Sequence, residues 1–325
     1  MHFHIIFCEE HQRSKKGFDV DFVSSIRDQK RFDIAVVFHY VTDKLFITQL
    51  LLNTMKHTKK ELGYLEMQLL AYAQMRKQET IYLDKIAPIL GITIKQAREL
   101  LSRLSRAGII IRLKRGVYLI PLRMPAGGRW TVSSYYILSK LMEVLKGQYQ
   151  ISGPNAFNVY GFEGQVPNRI YVYNDQIFGE RNIGGTDFVF IKTDWERLGS
   201  TRILKTSDDI DTVIVSKTRA LVDAVYDWSR YNTLPRAYGW IAETIKKEPG
   251  ITESLIGDTL RYSNKGTMKR IGYLLAQLDI VDDRLTAMKR QLSPSKSLIP
   301  WIPGQAAKGS IDRDWGLIIN GTIPQ

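Results

Sequence analysis

Residues 83–120 read LDKIAPILGITIKQARELLSRLSRAGIIIRLKRGVYLI, and this stretch decides how the N-terminal part of the chain folds. Residues 84–90 predict a compact helix, which Pro88 keeps short or bends because proline lacks an amide donor. Gly91 suits the left-handed position that ends such a helix. We therefore expect a short helix, a tight turn and a further element that begins near residue 93.

That further element is an amphipathic helix that runs to about Ala107. Thr93 and Gln96 predict a capping box, in which each side chain bonds the backbone amide of the other residue. The apolar positions fall within one arc: Ile94, Ala97, Leu100, Leu101 and Leu104. The opposite arc and its flanks hold Lys95, Arg98, Glu99, Ser102, Arg103 and Arg106. One side of this helix is thus built for a core and the other is largely cationic.

Two apolar runs follow, at 109–113 and 117–120, and they predict two strands. Lys114, Arg115 and Gly116 lie between the runs and form the expected hairpin tip. Leucines at helical spacing predict an earlier helix over 61–75. Helix, helix, turn, helix and basic hairpin is the order typical of a winged helix-turn-helix.

This order predicts an interface for double-stranded DNA. An α-helix fits the major groove, where long donors read base edges, and a basic hairpin tip suits phosphate or the neighbouring minor groove. The candidate DNA-binding residues are Thr93, Lys95, Gln96, Arg98, Ser102, Arg103, Arg106, Lys114 and Arg115. The alternative is a three-helix core used for protein contacts.

The distribution of charge favours a polyanion partner. The chain has a net charge of +13, and residues 55–122 alone hold 13 basic and 5 acidic side chains. Charge concentrated in one segment is typical of nucleic-acid binding, although a solvated basic face is the alternative.

Composition excludes several kinds of chemistry. Cys8 is the single cysteine, and all five histidines precede residue 58, so no His-ligated zinc or Ser-His-Asp triad can form within 58–325. Early His and Cys side chains follow no closed zinc spacing, and we expect no metal and no cofactor. The chain shows no convincing secretory signal and no clean apolar stretch of about 20 residues, so we interpret it as cytoplasmic, without a membrane partner. Residues 1–54 are an N-terminal extension, and an internal start at Met55 would remove them.

Beyond the predicted winged helix of 55–122, a glycine-containing linker introduces an α+β domain over 129–290. Apolar runs at 169–173, 188–191 and 212–215 predict strands, with helices before and after them. The helical C-terminal part contains a mildly basic group, Lys265, Lys269 and Arg270, for which a second DNA contact or plain helix packing are both open. Residues 291–325 are rich in Ser, Pro and Gly and predict an irregular tail.

One motif raises the alternative of an enzyme. A glycine pair at 184–185 precedes Asp194 and Glu196, which resembles the nucleotidyltransferase signature of a glycine turn followed by paired carboxylates. The spacing is slightly short, and Arg197 stands where an apolar strand residue belongs. We therefore expect no enzyme activity.

Taken together, residues 62–280 resemble the type IV antitoxin family AbiEi. The resemblance is carried by the winged-helix stretch 83–122, by YQISGP at 149–154 followed by QVPNRIYV at 165–172, and by VSKTRALVD at 215–223. Residues 1–54 and the tail after 291 lie outside the family pattern.

The resemblance implies a bacterial antitoxin from an abortive-infection, phage-defence system, encoded beside a nucleotidyltransferase-like toxin. It implies a winged helix that represses the shared promoter by binding repeats there, and a C-terminal domain that counters the toxin without a stable complex. The alternative that the residues leave open is a winged-helix transcription factor with a ligand-sensing α+β domain.

Overall fold

The computed structural model describes residues 62–123, 130–292 and 297–322. The expectations for 1–54, which concern the early histidines and Cys8, lie outside these ranges, as does the start hypothesis at Met55. Within them, no three His, Cys, Asp or Glu side chains are grouped so as to hold a metal ion. In the same ranges no helix has the length and apolarity needed to cross a membrane.

Residues 64–119, here called the N-terminal module, contain three helices and a three-stranded antiparallel sheet. The elements in chain order are α1 (Tyr64–Met75), β1 (Thr80–Tyr82), α2 (Leu83–Ile89), α3 (Ile94–Arg106), β2 (Ile111–Lys114) and β3 (Val117–Leu119). The strand order is β1-β3-β2. Buried leucines and alanines of α1, α2 and α3 form the core between the helices, because apolar residues at helical spacing share one face. These bounds agree within three residues with the expected helices and strands.

A six-stranded mixed sheet, here called the central sheet, follows. Its strands are β4 (Tyr149–Ile151), β5 (Arg169–Asn174), β6 (Gly179–Ile183), β7 (Thr186–Lys192), β8 (Thr201–Lys205) and β9 (Asp211–Val215). The order is β6-β7-β5-β4-β9-β8, with parallel pairs β5–β7 and β4–β9. The chain is therefore a mixed α/β protein.

Eight further helices lie before, among and after these strands in the described residues. They are α4 (Ser134–Leu145), α5 (Pro154–Val159), α6 (Lys217–Tyr226), α7 (Trp228–Tyr231), α8 (Arg236–Lys247), α9 (Thr252–Tyr262), α10 (Lys265–Gln277) and α11 (Asp283–Leu292). Single 3₁₀ turns lie at Trp195–Arg197 and Pro249–Ile251. Helix α6 is buried over nearly its whole length and is the centre around which α8, α9 and α10 pack.

A buried polar network joins α6 to the sheet. The carboxylate of Asp223, which is fully buried, accepts hydrogen bonds from Ser152 Oγ at 2.8 Å, Arg219 Nε at 2.9 Å and Arg197 at 3.0 Å. Arg219 also donates to the carbonyl of Arg197. Because a buried charge is costly without partners, this arrangement fixes the position of α6 against the sheet.

The irregular tail expected over 291–325 was a wrong prediction. Residues 299–319 form a three-stranded sheet, here called the C-terminal sheet, with strands β10 (Ile299–Pro300), β11 (Ser310–Asp312) and β12 (Leu317–Ile319). Trp301 and Trp315 are 1% and 2% exposed, and Trp301 stacks on Tyr238 of α8 at 3.8 Å between ring centroids. The burial of these two large aromatic side chains stabilises the C-terminal sheet. The Ser, Pro and Gly content of the segment gave no sign of this.

Residues 64–325 pack as one compact unit, and the predicted boundary near residue 123 falls inside it. Ile111 of β2 belongs to the same hydrophobic core as Ile137 of α4. A Cβ placed on Gly184, in the turn between β6 and β7, would lie 2.7 Å from Ile137 and 3.3 Å from Ile111. The hairpin β2–β3 is therefore held on one side by α4 and the β6–β7 turn.

Candidate nucleic-acid interface

Helix α3 has one buried and one exposed side. At about 100° per residue, Ala97, Leu100, Leu101 and Leu104 share one arc, and each is at most 1% exposed. The opposite arc is exposed or half-buried and holds Lys95, Glu99, Ser102 and Arg106, with Arg98 and Arg103 on its two flanks. The expected separation of leucines from cations is thus present, and the cations face outward.

The predicted capping box begins this helix. Gln96 donates its backbone amide to Thr93 Oγ1 at 3.2 Å, and Thr93 donates its amide to Gln96 Oε1 at 2.9 Å. The Thr93 hydroxyl lies 2.9 Å from the same Gln96 oxygen. These two candidate residues are therefore occupied in fixing the start of α3, which leaves the Gln96 amide nitrogen as their free donor.

The cations of α3 differ in their partners. Lys95 and Arg98 make no hydrogen bond or ion pair with any residue of the described ranges. Arg106 Nε lies 3.4 Å from the carbonyl of Ser102, one turn earlier on the same helix. Arg103 forms an ion pair with Glu66 of α1 at 3.1 Å and keeps half of its side chain exposed. Lys95 and Arg98 are therefore the side chains most available to a ligand.

Ile94 departs from the prediction that it belongs to the core arc. It is 53% exposed, because it lies at the edge of the buried arc and in the first turn of α3. An apolar side chain thus stands beside Lys95 and Arg98 on the accessible start of the helix.

The hairpin tip contains the second group of candidates. Arg115 is exposed and Lys114 is half-buried. Gly116 has a φ of +76° and its carbonyl accepts a hydrogen bond from the amide of Leu83 at 2.9 Å, which ties the tip to the start of α2. Arg112, which is exposed on β2, is a further candidate that was not predicted from the sequence. Strict alternation of buried and exposed residues along this strand is the signal that would have found it.

The predicted secondary basic patch does not form a surface. Lys265 is exposed, but Lys269 and Arg270 are 2% and 8% exposed. Lys269 Nζ donates to the carbonyl of Ser297, and Arg270 donates to the carbonyls of Pro300 and Trp301 at 3.2 and 3.4 Å. Of the two interpretations left open for this group, packing agrees with the structure, because the C-terminal sheet covers this face of α10.

The carboxylates of the catalytic alternative lie at the surface. Asp194 and Glu196 are exposed at the 3₁₀ turn after β7, and Arg197 between α6 and the sheet belongs to the Asp223 network. Gly184 and Gly185 both have positive φ and close the two-residue turn between β6 and β7. Hairpin geometry therefore accounts for the glycine pair.

Comparison with protein-family models finds no match to this chain, and comparison with curated proteins finds none either. Among solved structures, the chain is similar to the RV2827C protein from Mycobacterium tuberculosis, with a TM-score of 0.49 and 12% identity. The similarity covers 80% of this chain and 92% of that chain. At this level of similarity nothing is transferred from that protein to this chain.

Proposed function

We propose that the N-terminal module is a winged helix-turn-helix that binds double-stranded DNA, with α3 in the major groove and the tip of hairpin β2–β3 against the backbone. The observation that carries this proposal is the outer side of α3, where Lys95 and Arg98 are exposed and without partners among the described residues, above a layer of buried leucines. Cations held outward by a rigid helix can reach bases and phosphates without breaking internal contacts.

The face offers different chemistry at different positions. Arg98 carries the planar fork that binds the O6 and N7 atoms of guanine, and the Gln96 amide nitrogen can donate to an acceptor. Ile94 supplies an apolar surface for a thymine methyl group. Glu99 lies on the same side and repels phosphate, so it favours a position over base edges, where it can accept from cytosine N4.

In this proposal, the tip of hairpin β2–β3 makes the contacts with the DNA backbone. Lys114 and Arg115 lie at the end of β2 and in the turn, and Arg112 extends the basic surface along the strand. Their position is fixed because the hairpin is tied to α2 and packs on α4. Such contacts set affinity and orientation for every sequence alike.

We propose further that the protein is an antitoxin that represses its own operon in the cytoplasm, as the resemblance implies. In support, the segments that carry the resemblance come together: β4 pairs with β5 and β9, and Ser152 bonds Asp223. The residues 149–154, 165–172 and 215–223 therefore act as one structural centre. A transcription factor without a toxin is the alternative proposal.

The test of DNA binding is an equilibrium titration of the full chain with its own upstream DNA and with random DNA, at several salt concentrations. Arg98→Ala should weaken specific binding by about 1–3 kcal/mol and relax preference at one position. Lys114→Ala/Arg115→Ala should weaken binding to all sequences and flatten the slope of log K against log salt by roughly 0.9 for each phosphate that is no longer neutralised.

The matched control is Arg181→Ala/Lys192→Ala, which removes two exposed charges from β6 and β7 of the central sheet. It should leave the salt slope within error of the parent. Equal slopes for the tip variant and this control would remove the hairpin from the interface. Equal losses of Arg98→Ala on specific and random DNA would reassign Arg98 to phosphate.

The antitoxin proposal has its own test. Expression of a neighbouring nucleotidyltransferase-like toxin should arrest growth, and co-expression of this chain should restore it. Absence of such a gene neighbour favours the transcription factor. Asp194→Ala/Glu196→Ala should keep both activities, and their loss would favour the enzyme alternative.

A further inference from the structure

A basic pocket of about 380 Å³ lies between α11 and the C-terminal sheet. Its lining residues in the described chain include four cations, Lys269, Lys289, Arg290 and Arg313, against one carboxylate, Asp314. Trp315, Leu292 and Gly316 complete much of the wall. A pocket with this excess of positive charge attracts an anionic ligand.

The partners of the four cations show how much of the charge is left over. Lys289 Nζ is paired with Asp314 at 2.9 Å and lies 5.1 Å from the centre of the Trp315 ring. Lys269 is held by the carbonyl of Ser297. Arg290 and Arg313 are exposed and make no hydrogen bond or ion pair with residues of the described ranges. The carboxylate of Asp314 is thus already paired with Lys289. The guanidinium groups of Arg290 and Arg313 have no anionic partner among the described residues.

Lys269 lies in an environment that disfavours a further positive charge. Burial and the neighbouring ammonium of Lys265 lower the pKa of Lys269 from its ordinary value. Gly316 has a φ of +65°, and a Cβ at this position would lie 2.9 Å from Lys269 Nζ. A side chain at position 316 would therefore crowd the ammonium, and glycine leaves room for Lys269 at the wall of the pocket.

We propose that this pocket binds a small molecule that carries two or more linked phosphate groups. Planar guanidinium groups bind phosphate oxygens in pairs, and Arg290 and Arg313 offer two such groups. The volume lies within the usual range of small-ligand pockets, about 300–1,000 Å³. A free phosphate chain fits into a recess, whereas the phosphates of a duplex lie on a convex surface and are met by protruding cations such as those of α3.

The test is calorimetric titration of the full chain with sodium tripolyphosphate at about physiological ionic strength, where exposed charges are screened beyond roughly 8 Å. One molecule should bind per chain, and orthophosphate should bind more weakly. Arg290→Ala/Arg313→Ala should lower the affinity for tripolyphosphate by about 100-fold, because each lost guanidinium removes a charge-assisted hydrogen bond. Both side chains are exposed, so the unfolding temperature without ligand should stay unchanged.

Two controls separate this pocket from general attraction to a basic protein. Arg181→Ala/Lys192→Ala removes the same number of exposed charges elsewhere and should keep the affinity for tripolyphosphate, as should Lys114→Ala/Arg115→Ala at the hairpin tip. Equal losses in all three double variants, or several weak sites per chain, would overturn the proposal. So would a pocket variant that weakens binding of duplex DNA while the parent chain fails to bind tripolyphosphate.

Binding of tripolyphosphate to the folded chain should also raise its unfolding temperature, since a ligand that binds only the native state stabilises it. The rise should vanish in Arg290→Ala/Arg313→Ala. The proposal does not rest on DNA binding, because it uses residues of α10, α11 and the C-terminal sheet only. Loss of one activity with retention of the other therefore distinguishes the two.

Discussion

Helices α3 and α10 contain similar residues and hold them in opposite environments. Each has 13 residues, and each begins after an N-cap residue, Thr93 or Asn264, whose side chain accepts a hydrogen bond from a backbone amide. On α3, Lys95 and Arg98 are exposed, whereas Lys269 and Arg270 on α10 are at most 8% exposed. Residue type and helical spacing therefore do not tell whether a basic helix faces a ligand or the interior.

The difference comes from what lies on top of each helix. Helix α10 packs on α6 and α11, and the chain returns over its basic side at residues 297–301, whose carbonyls accept hydrogen bonds from Lys269 and Arg270. Within the described residues, helix α3 packs chiefly on α1 and α2, and the side away from them stays open. A buried cation contributes to stability through its acceptors, and an exposed one is left for recognition.

Truncation of Trp301, which packs the C-terminal sheet against the helices, should have the largest effect on stability. Trp301→Ala should lower the free energy of unfolding by about 3–5 kcal/mol, since it empties the space between Tyr238 and Tyr273. Urea unfolding measures this change. The matched control is Trp195→Ala, which removes a 69% exposed ring and should cost less than about 0.5 kcal/mol. Similar small losses for both variants would mean that the C-terminal sheet does not share the core.

Exchange of one cation on each helix compares the two environments directly. Arg270→Met should cost about 1–3 kcal/mol of stability, because the carbonyls of Pro300 and Trp301 lose a buried donor. Arg98→Met should stay within about 0.5 kcal/mol of the parent, since its side chain contacts solvent. Urea unfolding of both variants under one condition checks the pair. A cost for Arg98→Met as large as that for Arg270→Met would contradict an open face on α3.

The local signals in the sequence predicted α3 and its surroundings well. The capping box of Thr93 and Gln96 is present with both bonds, and Gly91 has a φ of +63°. Apolar runs at β5, β7 and β9 were correctly predicted as strands, because they are buried in the middle or inner part of the central sheet. These features depend on residues a few positions apart, which a sequence displays directly.

The elements that were missed either have no apolar pattern of their own or depend on residues that are far apart in the chain. Strands β6 and β8 are the edges of the central sheet, and their side chains are mostly exposed, so no apolar alternation marks them. The C-terminal sheet has three short strands whose stability comes from Trp301 and Trp315 packing against helices far back in the chain. The basic pocket was missed for the same reason, since its cations come from α10, α11 and the turn between β11 and β12.

Lys140 on α4 lies between these two environments, and its replacement should have a smaller effect than replacement of Trp301 or Arg270. Its side chain is one-fifth exposed, and its ammonium binds Glu79 of the N-terminal module at 2.8 Å and Glu143 at 3.1 Å. The hydrogen bond from Lys140 lowers the pKa of Glu79 below its ordinary value of 4.5. A carboxyl group whose pKa is lowered on folding contributes stability above its unfolded pKa and loses that contribution as the pH falls through the folded value.

Lys140→Met should therefore cost up to about 1 kcal/mol at neutral pH, as expected for a partly exposed pair. The difference from the parent should shrink as the pH falls below 4.5 and through the lowered pKa of Glu79, below which Glu79 is protonated in both chains. Urea unfolding across this pH range measures the change, with Lys192→Met as a control for loss of an exposed charge. A cost of Lys140→Met that stays constant with pH would mean that the ion pair to the N-terminal module contributes nothing and that the cost comes from other contacts of Lys140, such as that of its ammonium with the Tyr136 ring at 5.7 Å.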